Sequence, residues 1–239
     1  MIDIRGLTVE YDGGIKALDS IDLTVNEGDS LGLIGANGAG KSSLFRALTG
    51  LTAFTGSIKF NGLDVIKKNL PSIRQDIGYV IQESDDQMFM PKVIEDMIFG
   101  PVNYGTSKED AVKKADEILK KLEISHLKDR YNHKISGGEK KMAAIATILM
   151  MKPKVILFDE PTSSLDPHNR RTVINAINGI DSTKMIASHD LDLIYDTCGK
   201  VALINQGRIV KVGDRDEILR DRELLESNGL ELPLSMGGR

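Results

Sequence analysis

Gly35-Ala36-Asn37-Gly38-Ala39-Gly40-Lys41-Ser42 follows the spacing G-x-x-x-x-G-K-[ST], and its reading decides how the rest of the chain is understood. Leu31, Leu33 and Ile34 before it have the character of a buried strand, while residues 43–49 after it read as a helix closed by Gly50. A glycine-rich turn entering a helix aims several backbone N–H groups, and the positive end of the helix dipole, at one point. Anionic oxygens satisfy that point. Ala36, Gly38, Ala39 and Gly40 let the backbone wrap phosphates, Lys41 reaches the β and γ phosphates, and Ser42 can put its hydroxyl on Mg²⁺.

The composition narrows the field. Lys and Arg total 31 against 35 Asp and Glu in 239 residues, a formal charge of −4, so no global basic field points to nucleic acid. That length suits one large α/β domain with a substantial core. The single cysteine, Cys198, excludes an internal disulfide, suits a reducing compartment and reads as packing. The N-terminus begins directly with strand-like residues 1–4, so no signal peptide is expected. The longest apolar run, residues 142–151, falls well short of the ~18 residues that cross a bilayer, and a soluble, cytoplasmic chain is expected.

Residues 1–25 alternate apolar and polar, with Leu7, Val9 and Tyr11, then Ile21, Leu23 and Val25, around the turn Asp12-Gly13-Gly14. This predicts an antiparallel, one-sided sheet. Tyr11 at a strand end could stack on a base or simply cap the sheet edge. Residues 56–60 and 77–81 read as further strands, the second ending at Gln82. Between Gln82 and Pro153 there is no β alternation, and residues 94–100 and 107–122 are helically patterned, which predicts a helical insertion over 83–150. Ser136-Gly137-Gly138-Glu139 opens another helix. Its S-x-x-E spacing is a capping box, yet a capping box needs no paired glycines, so a second anion-binding helix N-terminus is the preferred reading.

Val155-Ile156-Leu157-Phe158 reads as a central parallel strand ending in Asp159-Glu160. Carboxylates at the end of a buried strand are costly unless a cation or water meets them. Asp159 can hold the magnesium shell, and Glu160 can take a proton from an attacking water. Residues 184–187 form the next strand, ended by Ser188-His189-Asp190. A helix over 191–197, a hairpin of 201–205 with 208–212, and a helix near 216–220 follow. Residues 227–239 carry three glycines and little periodicity, and are expected to be mobile.

Taken together these residues resemble the ATP-binding cassette (ABC) ATPases over nearly the whole chain. Gly35 to Ser42 is similar to Walker A, residues 155–160 to Walker B with its catalytic glutamate, and Ser136 to Glu139 to the ABC signature. Gln82 matches the Q-loop glutamine, residues 163–166 with Asp166 the D-loop, His189 the switch histidine, and Tyr11 the aromatic that stacks on adenine. The resemblance implies one ABC-type P-loop domain over 1–239: a mostly parallel α/β core sheet, an N-terminal antiparallel β subdomain and a helical signature subdomain. It implies ATP and Mg²⁺ as ligands, with Ser42, Gln82 and Asp159 at the metal and Glu160, Gln82 and His189 in catalysis. It also implies a head-to-tail dimer, in which Ser136, Gly137, Gly138 and Glu139 of one copy close over ATP held by residues 35–43, Ser43 included, of the other.

A narrower resemblance rests on Gln82-Glu83-Ser84-Asp85-Asp86-Gln87-Met88-Phe89, Glu95-Asp96, Phe99-Gly100-Pro101 and, near the end, Gly229-Leu230 and Leu232-Pro233. These are similar to the energy-coupling factor importers of vitamins and metal ions, particularly the cobalt and nickel type. Ser84, Lys92, Ile135, Glu139 and Met142 depart from the more usual proline, threonine, leucine, glutamine and arginine. The expected partners are a transmembrane coupling subunit, a membrane-embedded substrate-binding subunit and a second cassette, identical or paralogous, at the cytoplasmic face of the membrane. An importer with an external binding protein shares every ATPase motif and is the alternative. A repair or translation ATPase acting on nucleic acid is a further one, but it would carry a long coiled coil or a second cassette, and no nucleic-acid partner is expected.

Overall fold

The buried apolar residues form two cores, one on each face of the larger of two sheets, in the computed structural model, which describes residues 1–237. The chain begins β1 (Ile2–Tyr11), β2 (Ile15–Val25), β3 (Ser30–Ile34), α1 (Lys41–Leu48), β4 (Thr55–Phe60), β5 (Leu63–Asp64), α2 (Leu70–Asp76) and β6 (Ile77–Val80). Four helices follow: α3 (Ser84–Gln87), α4 (Val93–Asn103), α5 (Lys108–Lys121) and α6 (Gly137–Leu149). It continues β7 (Val155–Asp159), α7 (Pro167–Asn178), β8 (Thr183–Ala187), α8 (Leu191–Thr197), β9 (Lys200–Asn205), β10 (Arg208–Asp214), α9 (Arg215–Leu219) and α10 (Arg222–Ser227).

The first sheet is antiparallel, in the order β2-β1-β4-β5, and the second runs β10-β9-β3-β8-β7-β6. In the second, β9, β3, β8, β7 and β6 are mutually parallel and β10 is antiparallel at the edge. Side chains of a strand alternate between faces, and here both faces are covered. Leu31, Leu33, Val155 and Leu157 join Ile2, Ile4, Val9 and Phe45 in one core, against the antiparallel sheet and α1. Ile34, Ile156, Phe158 and Ile186 join residues of α6, α7 and α8 in the other. That double burial is why the β7 residues form an unbroken apolar run.

Parallel strands point their carboxyl ends the same way, and ligands of such sheets gather there. At that end β3 delivers the phosphate loop, β6 delivers Gln82, β7 delivers Asp159 and Glu160, and β8 delivers Ser188 and His189. The expected helices, strands and hairpin are present with shifted bounds, α4 running on past Gly100 with Pro101 inside it.

Several elements escaped the sequence reading. The largest is α7, although Asp166 at its N-cap and Pro167 in its first turn are a helix-start signature. Helix α2 also has proline in its first turn, and α10 is six residues long. Across 227–237, where a mobile tail is expected, the structure shows a helix end and defined contacts. Residue 227 ends α10, Leu230 and Leu232 pack on the core, and Asp192 accepts hydrogen bonds from the Leu234 and Ser235 amides at 3.0 and 3.1 Å. Aperiodic sequence can still be ordered by side chains elsewhere. Residues 238 and 239 of that expected tail lie outside the described residues.

Candidate active site

The phosphate loop folds as it does because two glycines take conformations that residues with side chains rarely adopt. Gly38 has φ +77° and Gly40 φ +110°, and a Cβ on Gly40 would run into the Ala17 carbonyl. The loop lines a cavity of about 310 Å³ together with Gln82, Glu160 and His189. Asn37, Ala39, Lys41, Ser42 and Ser43 face the same cavity. A larger cleft of about 800 Å³ between α5, α6 and α7 contains none of these residues, and its lysines are interspersed with Asp110, Glu117 and Asp181.

Lys41 is buried, and its Nζ donates to the carbonyls of Gly35 and Ala36 at 2.7 and 3.2 Å. Burial lowers its pKa, against the opposing charges of Glu160 and Asp159. Ser42 Oγ donates to Asp159 Oδ1 at 3.0 Å, and the Tyr79 hydroxyl donates to Asp159 Oδ2 at 2.9 Å. Burial still holds the Asp159 carboxyl above the usual carboxylate range. Burial beside Asp159 likewise pushes the Tyr79 phenol up.

Glu160 sits at φ +46°, an uncommon backbone conformation for a residue with a side chain and one that recurs at functional sites. Its amide donates to the Ala187 carbonyl at 2.8 Å, and its own carbonyl accepts from Ser163 Oγ at 3.0 Å. Three groups after β8 hold the carboxylate: Ser188 Oγ at 3.1 Å, the His189 amide at 3.1 Å and His189 Nδ1 at 2.8 Å. Glu160 is 7% exposed, whereas the His189 side chain is largely open to solvent.

Tyr11, the last residue of β1, reaches the first turn of α1, where its hydroxyl donates to Ser43 Oγ at 3.2 Å. Ser136, Gly137, Gly138 and Glu139 do not line this cavity. They cap α6: Ser136 Oγ accepts from the Glu139 amide, and Glu139 Oε2 accepts from the Ser136 amide at 2.8 Å. The Ser136 amide therefore holds the Glu139 carboxyl below its usual range, with the Ser136 hydroxyl and His126 assisting. The two glycines differ. A Cβ on Gly138 would collide with Asn169 of α7, while one on Gly137 would meet nothing within 4 Å. Asn169 is in turn fixed by Asp166, which accepts from its amide at 3.0 Å and from the His168 amide at 2.9 Å.

Sequence reading assigned no role to Tyr79, Ser188, Gln87 or Lys141. Lys141 is 3% exposed, and its Nζ donates to the carbonyls of Ile81 and Gln82. Burial lowers its pKa to about 8. A lysine on the apolar face of α6, and a tyrosine tip within an otherwise apolar strand, were the available signals.

The arrangement can hold a polyphosphate on backbone amides and one ammonium, with a hydroxyl and a carboxylate at one side and a second carboxylate at the other. Residues 18–163, more than half of the chain, match the ABC transporter family. The energy-coupling factor transporter ATP-binding protein EcfA of Methanosphaera stadtmanae is 39% identical over 239 residues, covering 98% of this chain and 86% of that protein. EcfA of Methanothermobacter thermautotrophicus is 40% identical, covering 98% of this chain and 77% of its own length. Among solved structures, cbiO1 of Clostridium perfringens, described as part of the ABC transporter complex cbiONQ, superposes with a TM-score of 0.83 at 33% identity, over 95% of this chain and 93% of that one. With a phosphate loop, a strand-end glutamate and a histidine converging in one cavity, and with relatives similar over 98% of its length, the chain belongs to the ABC transporter ATPases, which hydrolyse ATP.

Proposed function

We propose that the chain is the ATP-hydrolysing subunit of an energy-coupling-factor-type importer of a metal ion such as cobalt or nickel, or of a vitamin. It works as one half of a pair of cassettes beneath membrane subunits. The observation that carries this reading is the similarity to the EcfA proteins over 98% of this chain, supported by the likeness to cbiO1. Among the described residues no helix is long and apolar enough to cross a membrane, so the reading requires separate membrane partners.

The chemistry follows from the cavity. Backbone amides of residues 36–42 and Lys41 bind the phosphates, Lys41 exchanging the Gly35 carbonyl for a phosphate oxygen. Glu160 accepts the proton of the attacking water, and His189 holds the Glu160 carboxylate and faces the γ-phosphate with its exposed edge. Gln82 lines the same cavity and orients that water. Tyr11, beside Ser43, offers a ring face to adenine.

Magnesium is tested by the donor set. Ser42 Oγ and Asp159 Oδ1 are oxygen donors 3.0 Å apart, and the burial that raises the Asp159 carboxyl favours a neighbouring cation. No group of three or more His, Cys, Asp or Glu among the described residues could hold a metal, so Ser42 and Asp159 would hold the ion as a partial set of oxygen ligands, alongside the nucleotide. The residues fit. Bound there with Gln82, Mg²⁺ supplies charge stabilisation to the transferring phosphoryl group.

In this reading Ser136, Gly137, Gly138 and Glu139 meet the partner copy's nucleotide and Asp166 lies at the seam, and the open space beside Gly137 supports it. The test is co-expression with a small membrane-embedded substrate protein and a coupling subunit, followed by ATP-driven solute uptake into vesicles. Co-purification and uptake that vanishes in Glu160→Gln are expected. Association only with a system that needs a soluble receptor would overturn the importer type.

A further inference from the structure

The turn after β6 is bound to α6 by side chains rather than by backbone pairing. The carbonyls of Ile81 and Gln82 accept from Lys141 Nζ at 3.1 and 2.7 Å. The Ile81 amide donates to Gln87 Oε1 at 3.1 Å, and Gln87 Nε2 donates onward to the Ala144 carbonyl at 3.2 Å. Lys140 pairs with Asp85 outside them. Lys140, Lys141 and Ala144 all belong to α6, whose first turn carries the paired glycines.

An ammonium buried on two carbonyls is a costly way to fill space. Met142, the next residue along, is equally buried and shows that an uncharged chain of similar length is accommodated on this helix. Lys141 is therefore explained by what it holds. The same is true of Gln87, whose amide is used at both ends.

We propose that Lys141 and Gln87 form a latch which makes the turn bearing Gln82 and the N-terminus of α6 move as one piece. Both are positioning residues for Gln82. The inference rests on the reading of Gln82 as a phosphate-facing residue and of residues 136–139 as the cover of a partner's nucleotide. Under it the two nucleotides of a cassette pair are mechanically coupled, because the group facing one and the turn closing over the other share a rigid body. Gln87 and Asp85 then serve this coupling inside the subunit, with Asp85 as the outer brace.

The test is steady-state ATP hydrolysis, nucleotide binding and thermal unfolding for wild type, Lys141→Met, Lys141→Arg, Gln87→Leu and the double variant Lys141→Met/Gln87→Leu. A small misplacement of a reacting group costs up to about a hundred-fold in rate. Lys141→Met and Gln87→Leu are expected to lose roughly ten- to hundred-fold in kcat, with ADP affinity unchanged and KM little altered. Lys141→Arg restores most of the rate. The double variant loses no more than the worse single one, since both open the same latch.

Wild-type kcat in either single variant would overturn the proposal. So would a double variant whose losses multiply, or a loss of ADP binding in step with the rate. If Lys141→Met does not fold, Gln87→Leu and Lys141→Arg decide: a full-rate Gln87→Leu sinks the latch. A wild-type protein that hydrolyses no ATP would instead refute the assignment of the site, which separates the two failures.

Discussion

His189 Nδ1 lies 2.8 Å from one carboxylate oxygen of Glu160, and the backbone amide of the same histidine donates to the other at 3.1 Å. One residue thus grips both oxygens. Replacing the imidazole leaves the amide in place and removes only the ring contact. His189→Ala is expected to lower kcat by about 10² or more while nucleotide still binds. Phosphate release measured beside equilibrium nucleotide binding checks this, and equal losses in both would move His189 out of catalysis.

Tyr79 and Ser42 supply two hydrogen bonds to the buried Asp159 carboxylate. Tyr79→Phe removes one donor without changing the packing of the ring against Phe45. A loss of about 1–3 kcal/mol in stability is expected, together with a higher magnesium requirement for hydrolysis. Urea unfolding and a magnesium titration of the rate measure both.

Gly137 and Gly138 make opposite predictions. Gly138→Ala drives a methyl group into Asn169 and should destabilise by about 1–3 kcal/mol, part of it recovered by Asn169→Ala. Gly137→Ala meets nothing and should leave stability within ~1 kcal/mol. If a partner's nucleotide approaches there, the same variant loses turnover and ATP-dependent pairing. Retention of both would remove Gly137 from the interface.

Asp190 receives a bidentate contact from Arg170, with Nε and Nη2 at 2.7 and 2.9 Å from its two oxygens. Burial raises the Asp190 carboxyl, but Arg170 and the Leu193 amide outweigh it and leave the pKa lowered. A carboxyl lowered on folding stabilises the fold above its unfolded value near 3.8, and that stabilisation is lost as pH falls through the lower folded value. Arg170→Met is therefore expected to be destabilised by about 1–3 kcal/mol at pH 7. The gap to wild type should narrow below pH ~4. Chemical unfolding of both proteins across that range reads the difference directly.

Cys198 is 2% exposed, and burial pushes its thiol up to about 11. The thiolate is the reactive form. The folded protein at neutral pH should therefore resist a maleimide or disulfide reagent that labels it at once in denaturant. Fast labelling of the native chain would contradict the packing role.

Much of this site was legible from spacing alone, for a physical reason. A phosphate loop needs glycine where φ is positive, and a buried strand ending in two carboxylates has few uses, so residues 35–42 and 155–160 announce themselves locally. Tyr79, Ser188 and Lys141 act through contacts across distant segments, such as the 59 positions separating Gln82 from Lys141, and one-dimensional periodicity carries no trace of such pairs. Met142 shows the same limit. Its departure from arginine raises the question of how α6 is anchored, and the answer lies one residue earlier in Lys141. Asp166-Pro167 was visible in the sequence, and α7 was missed because its capping signal was assigned to the D-loop alone.

The contact between Asp192 and residues 234 and 235 fastens the end of the described chain three positions beyond His189. A fluorophore attached at Leu234, whose side chain is 85% exposed, would ride on that fastening. A change in its signal on adding nucleotide would reveal displacement of the β8–α8 corner, from a vantage point outside the residues that line the phosphate cavity.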